Sequence, residues 1–187
     1  HKRALDGDRG QNTGGMGAFA PSDAFTPDLR QQTIETIIRP TIEALKAEGT
    51  PFSGVLYFGL MLTGSGVRVV EYNARFGDPE TQAILPLLKT DIMEIFLACA
   101  HGTLAQTPIE WESGYCACVV LASGGYPGKY ETGKEISGIA QAEQAGATVY
   151  HAGTAISPDG RLVTAGGRVL GVTAKGPSLS AAVQAAY

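Results

Sequence analysis

Glycine most restricts what this chain can become. It supplies 25 of the 187 residues, against roughly 7% in an average protein. Each glycine weakens a helix or strand interior and favours a sharp turn or a close backbone approach. Short elements joined by tight turns are therefore expected. Hydrophobic residues at 44% and charged residues at 17% suffice for a buried core, which excludes a chain disordered by composition. Fourteen Lys+Arg against eighteen Asp+Glu leave a net charge of -4. Without a basic stripe, a general nucleic-acid binder is not expected. The longest apolar run, Cys116 to Ala122, has seven residues, far below the roughly 18 of a membrane helix. No signal-peptide pattern is present. The three cysteines lack disulfide-framework or zinc spacing. Cys116 and Cys118, two apart, would share one face of a strand as reduced core thiols. The expectation is a cytoplasmic protein with neither nucleic-acid nor membrane partners; no pattern specifies an oligomeric state.

The chain opens on the basic triplet His1-Lys2-Arg3 and closes at Tyr187 inside an alanine-rich helical pattern, so a piece of a longer protein is expected. Residues 1 to 26 read as loop. Thr26, Pro27 and Asp28 then form a helix start. Ile34, Ile37, Ile38, Ile42 and Leu45 continue at helical spacing, with a kink at Pro40 and a stop at Gly49. Residues 53 to 76 read as a β-hairpin turning at Thr63-Gly64-Ser65-Gly66. Helices follow at about 79–88 and 91–100, the second closed by Gly102. Character changes at Gln106-Thr107-Pro108. Beyond it lie short strands at 115–123, 148–152, 153–156, 162–164 and 168–172, with a turn at Ser157-Pro158-Asp159-Gly160. A boundary is placed near 103 to 110.

The most informative constellation is Glu71-Tyr72-Asn73-Ala74-Arg75-Phe76-Gly77-Asp78-Pro79-Glu80-Thr81-Gln82. On a strand from 67 to 75, Val67, Val69, Glu71, Asn73 and Arg75 share a face that turns from apolar to polar. A carboxylate and an amide oxygen about 7 Å apart at Cα can converge on one hard cation such as Mg²⁺. Arg75 would meet a phosphate or carboxylate with its planar fork. A plain edge strand with a solvated Glu–Arg pair fits the same spacing. Asn12-Thr13-Gly14-Gly15-Met16-Gly17 could cradle an anion on its backbone N–H groups, or could be a flexible turn; it is not a Walker loop. Asp6 to Asn12 fails as a calcium loop, because Gly17 stands where the bidentate acid belongs. His1, His101 and His151 show no ligand spacing, and His101 suits a helix C-terminus. Ser123-Gly124-Gly125 is not a nucleophile elbow. Tyr126-Pro127-Gly128 reads as a turn, and Trp111 as a core or interface filler.

EYNARFGDPETQ, preceded by SGVLYFGLML and HKRALDGDRGQNTGGMGAFAP and followed by CVVLASGGYPGKYETGKEI and VYHAGTAI, resembles the C-terminal part of the phosphoribosylamine–glycine ligase family, ATP-grasp enzymes of purine biosynthesis. The resemblance covers essentially the whole chain. It implies an α+β fold: a large ATP-grasp subdomain over residues 1–106, an antiparallel sheet with flanking helices, and a small β-rich C-terminal domain over 107–187, truncated at its end. It implies ATP with Mg²⁺ or Mn²⁺, and the substrates glycine and 5-phosphoribosylamine. The glycine carboxylate would take the γ-phosphate as an acyl phosphate, which the amine then displaces. By the resemblance, Glu71 and Asn73 hold the metal and Arg75 sits over the carboxylate or acyl phosphate. Asn12, Thr13, Gly14, Gly15, Gly17, Asp78 and Glu80 line the acceptor side, and Lys2 is a further substrate-binding residue. Many ATP-grasp enzymes carry a second acidic ligand on the preceding strand; Gly59 lies near that place here. Another ATP-grasp ligase or carboxylase of purine metabolism, or a non-catalytic module, are the alternatives. Without a small ATP-grasp subdomain, the isolated 187 residues are expected to be inactive.

Overall fold

The computed structural model describes residues 2–187; His1 of the basic triplet lies outside the described residues. In chain order the strands and helices begin with β1 (Arg3–Leu5), β2 (Arg9–Asn12), β3 (Gly17–Ala20) and α1 (Pro27–Thr33). A π-helical turn, Ile34–Ile38, leads into α2 (Arg39–Ala47), followed by β4 (Tyr57–Thr63) and β5 (Gly66–Asn73). Then come α3 (Glu80–Ile84) with a 3-10 turn at Leu85–Leu87, α4 (Ile92–His101), β6 (Tyr115–Ala122) and α5 (Ile139–Gln144). The chain ends with β7 (Thr148–His151), β8 (Thr154–Ile156), β9 (Leu162–Thr164), β10 (Arg168–Gly176) and α6 (Leu179–Ala186). Every strand pairing is antiparallel, in keeping with the expected α+β class.

Contacts group the chain into two compact units that do not follow chain order. Residues 1–21, 78–88 and 111–187 form one, and residues 22–77 and 89–110 the other.

The first unit is built on a sheet of order β3-β6-β10-β7. Its interior is lined by small side chains. Cys116, Ala117, Cys118, Ala174, Ala182 and Ala186 are all buried, and α6 packs on β6 and β10. The helix lies this close because Gly176 has no side chain: a Cβ there would sit 2.5 Å from the backbone nitrogen of Ala182. Ser178 caps α6 by accepting the Ala181 N–H at 3.2 Å. Val149, Val169 and Leu170 form a second cluster with Ile136 and Ile139. The expectation of loop over residues 1–26 is corrected here. β1 and β2 form a hairpin and β3 is a full member of the sheet. Glycine and polar residues hid them, because β2 (RGQN) is exposed along its whole length and carries no apolar alternation. The short helix α5 was also not anticipated. Trp111 is 50% exposed rather than a core filler.

In the second unit, Thr26 caps α1 as expected, accepting the Leu29 N–H at 3.3 Å. Pro40 has no N–H to donate. The chain absorbs this with the π-helical turn Ile34–Ile38 just before it, so α2 starts with Pro40 in its first turn. At Gly49 the helix stops, with the Thr50 N–H donating to the Leu45 carbonyl at 3.0 Å. Asp91 caps α4 by accepting the Met93 N–H at 2.8 Å, and Gly102 ends it at φ 70°. His101 occupies the last turn of that helix, as expected. No described helix is long and apolar enough to cross a membrane.

Cys116, Cys118 and the more accessible Cys99 are free thiols. Burial, then the neighbouring Cys118, push the Cys116 thiol up from 9.0 to about 11. Burial likewise raises Cys118. A thiol raised in the folded state binds its proton more tightly there than in the unfolded chain. Its contribution to stability is therefore complete below pH 9 and is lost as pH rises towards about 11. Urea midpoints should fall across that window, and a Cys116→Ala variant should show a shallower fall. Equal slopes for both proteins would contradict this.

Candidate functional site

Glu71 and Asn73 lie near the end of β5, in regular register with β4. Glu71 faces Gly59, Tyr72 faces Phe58 and Asn73 faces Tyr57. With no irregularity between them, Glu71 and Asn73 project from the same side of the hairpin. Both are half-buried, whereas Tyr72 between them is exposed. The opposite side is occupied by an edge-on contact of Phe58 with Tyr72, centroids 5.3 Å apart, and by the Tyr72 hydroxyl 3.2 Å from Thr41 Oγ1 on α2. The metal-type side chains thus point away from α2.

The single continuous face expected from Val67 to Arg75 does not exist. Gly59 pairs with Glu71 while the next residue, Leu60, pairs with Val69. Val70 is therefore an extra residue, a β-bulge, and it stands 59% exposed. A bulge bends its strand and re-aims the side chains beyond it. The change from apolar to polar in this strand falls at that point. β5 then ends at Asn73, so Arg75 stands in the bend that follows, where its Nη1 donates to the Phe76 carbonyl at 2.8 Å. One bond uses one of five guanidinium donors.

Gly59 has a direct role in this arrangement. A Cβ at that position would lie 2.7 Å from Glu71 Cγ and 3.5 Å from its Oε1. The Glu71 carboxylate rests on the bare backbone of β4, and any side chain there would move it. A carboxylate oxygen and an amide oxygen at i and i+2 form the hard-oxygen donor set that Mg²⁺ or Mn²⁺ takes from a protein. Among the described residues no group of three or more His, Cys, Asp or Glu is clustered. A cation held here would complete its shell from phosphate and water, as Mg²⁺ ordinarily does.

The remaining candidate residues belong to the first unit. Lys2 is exposed, and its carbonyl accepts both the Thr13 N–H at 2.6 Å and the Thr13 hydroxyl at 2.8 Å. Asn12 ends β2 opposite Arg3. Thr13 Oγ1 in turn accepts the Gly15 N–H at 3.0 Å, and the Tyr126 hydroxyl accepts the Gly14 N–H at 2.9 Å. Three of the N–H groups expected to cradle an anion, those of Thr13, Gly14 and Gly15, are thus used within the protein. The glycines are required by packing. A Cβ on Gly14 would lie 3.0 Å from the Arg168 guanidinium, one on Gly15 2.6 Å from Pro79, and one on Gly17 2.8 Å from the Cys118 carbonyl. Asp78 lies just before α3. Its Oδ1 accepts from Gln82 Nε2 at 2.8 Å and its Oδ2 from Arg168 Nη2 at 3.0 Å. Glu80 is the first residue of α3. Ser123 donates to the Gly166 carbonyl at 2.7 Å and is buried, which is a structural role. Arg168 and Tyr126 were not among the sequence candidates. Arg168 is an isolated basic residue at a strand start, and nothing in the local pattern marks it.

Two family models match successive stretches of the chain, a division that differs from that of the two contact units. Residues 1–81 match the family described as phosphoribosylglycinamide synthetase, ATP-grasp (A) domain. Residues 116–187 match phosphoribosylglycinamide synthetase, C domain. The chain is 50% identical to a phosphoribosylamine–glycine ligase from Synechocystis sp., over 100% of the chain and 45% of that protein. It is 51% identical to the bifunctional purine biosynthetic protein ADE1 of Schizosaccharomyces pombe, over 100% of the chain and 24% of that protein. The crystal structure of a Thermotoga maritima phosphoribosylamine–glycine ligase matches 100% of the chain and 45% of its own, with TM-score 0.82 and 38% identity. The chain thus spans less than half the length of these relatives.

The packing of the glycine loop makes a stability prediction. Gly15 adopts φ 116° and abuts Pro79, so Gly15→Ala introduces both backbone strain and a clash. We expect a loss of about 2 kcal/mol in unfolding free energy by urea titration. A change below about 0.5 kcal/mol, the ordinary surface range, would show that the loop yields freely.

Proposed function

The chain belongs to the phosphoribosylglycinamide synthetase family, and from that premise we propose that it forms part of an ATP-dependent ligase joining glycine to 5-phosphoribosylamine. The products are glycinamide ribonucleotide, ADP and phosphate. Residues 1–106 would serve as the large ATP-grasp subdomain and 107–187 as the C-terminal domain. Three free cysteines suit a reducing cytoplasm.

The chemistry requires two anions to meet. The glycine carboxylate attacks the γ-phosphorus of ATP; the bond to the bridging oxygen breaks, ADP leaves and glycyl phosphate forms. The amine of 5-phosphoribosylamine then attacks the carbonyl carbon, loses a proton and expels phosphate. Repulsion between carboxylate and triphosphate opposes the first step. Glu71 and Asn73 would hold Mg²⁺ or Mn²⁺ through oxygen atoms, and the bound cation supplies charge neutralisation at the phosphates. Gly59 keeps the Glu71 carboxylate seated. Arg75 would orient the carboxylate and stabilise the charge on the transferring phosphoryl group with its fork of donors. The loop Asn12 to Gly17 and Asp78 to Glu80 would border the acceptor amine, and Lys2 would be a further substrate-binding residue.

The observation that carries this reading is the placement of Glu71 and Asn73 on one side of β5 over Gly59. In the full-length ligase, Glu71→Ala should lower kcat by at least roughly a hundredfold, the size of a lost electrostatic group, with unfolding nearly unchanged. Phosphate release must depend on both glycine and 5-phosphoribosylamine. Retained activity in the variant would move the metal elsewhere, and release driven by bicarbonate or formate in place of glycine would assign a different ATP-grasp reaction. The isolated 187 residues should release no phosphate under conditions where the full-length enzyme turns over; turnover by the segment alone would overturn its expected dependence on further ATP-binding structure.

A further inference from the structure

Arg168 opens β10 at a register irregularity: it pairs with Ala122, but Leu170 pairs with Leu121, leaving Val169 as an extra residue. Val169 and Leu170, adjacent in sequence, are both buried. This bulge aims the Arg168 side chain away from the regular sheet alternation. The Arg168 backbone is itself held, since its carbonyl accepts the Gly153 N–H at 2.9 Å. A Cβ on Gly153 would come within 2.6 Å of that oxygen.

From this anchored position the guanidinium, 23% exposed, gathers two chain segments. Nη1 donates to the carbonyls of Gly14 at 3.0 Å, Gly15 at 3.4 Å and Asp78 at 2.8 Å. Nη2 makes the ion pair with Asp78 Oδ2 at 3.0 Å. The preceding residue completes the clamp. A Cβ on Gly167 would overlap the Tyr126 ring at 2.3 Å, so its absence lets that ring lie there and offer its hydroxyl to the Gly14 N–H. Gly14 is thus gripped at its N–H by Tyr126 and at its carbonyl by Arg168. Asp78 is gripped at its carbonyl and carboxylate. Charge-assisted bonds of this kind, partly shielded from water, are the strong class, and only a planar fork can serve several acceptors together.

We propose that Arg168, supported by Tyr126, is a positioning residue for the acceptor substrate: it fixes the Gly14–Gly15 loop and the Asp78-Pro79-Glu80 turn in one relative arrangement. This rests on the ligase reading above, in which both segments border the acceptor amine. Substrate geometry then depends on a residue that need not touch substrate. A small misplacement of binding groups lowers reactivity steeply.

The test uses the full-length ligase with Arg168→Met, Arg168→Lys and Tyr126→Phe, measuring kcat, the separate KM values for ATP and 5-phosphoribosylamine, thermal midpoint and amide hydrogen exchange at Gly14. Arg168→Met should raise the KM for 5-phosphoribosylamine roughly tenfold or more and leave the KM for ATP within about twofold. Arg168→Lys should recover part of the loss, because an ammonium can pair with Asp78 but cannot span the carbonyls. Tyr126→Phe should shift the same KM in the same direction and speed exchange at Gly14. A lowered midpoint with both KM values unchanged, or a parallel rise in both, overturns the proposal. If Arg168→Met does not fold, Tyr126→Phe decides: an unchanged KM for 5-phosphoribosylamine overturns it. A wild-type enzyme without glycine-dependent phosphate release sinks the ligase reading instead, and unchanged Gly14 exchange in the variants would then remove the clamp as well.

Discussion

Where a strand or loop carries no Cβ, a neighbouring side chain or helix can approach its backbone directly. At Gly59 the missing side chain leaves a seat for the Glu71 carboxylate, with only 2.7 Å between an added Cβ and Glu71 Cγ. At Gly14 the same omission admits the Arg168 guanidinium, and at Gly176 it admits the backbone of α6. The abundance of glycine is thus more than a supply of turns. At these points it sets how near polar groups and helices come to a neighbouring backbone.

The two sets of candidate residues solve different electrostatic problems. Glu71 and Asn73 present hard oxygen atoms from one side of a hairpin, a donor set suited to a small divalent cation. The glycine loop and Asp78 are already bonded within the protein, by Thr13, Tyr126, Gln82 and Arg168. The bonds of the second set hold two segments of the chain in one shape. The β-bulges serve both: Val70 precedes the polar end of β5, and Val169 follows Arg168. In each case one extra residue breaks the two-residue alternation of the strand and redirects what lies beside it.

Much of the fold could be read from local signals, because the physics behind them is local. Thr26, Asp91 and Ser178 cap helices with their own side-chain oxygens. Gly102 stops α4 in the left-handed region. The Gly64-Ser65 turn of the hairpin and the Ser157–Gly160 turn, where the Gly160 N–H meets the Ser157 carbonyl at 2.9 Å, need only neighbouring residues. β3 was not legible in this way. Its four residues, Gly-Ala-Phe-Ala, gain strand character only from pairing with β6, about a hundred residues away in sequence. The fate of Trp111, half-exposed in the first unit, also has no local signature.

The sequence by itself determined the spacing of Glu71 and Asn73, the chemistry of their oxygens and the family to which the chain belongs. Those depend on residue identity and order alone. Only the tertiary structure decided that the shared face stops at Val70, that Arg75 stands beyond the strand, and that Arg168 joins residues 14, 15 and 78. Strand register, bulges and long-range hydrogen bonds are chosen by which distant partners pack together. No pattern within a few residues of Arg168 encodes a carbonyl more than 150 positions away.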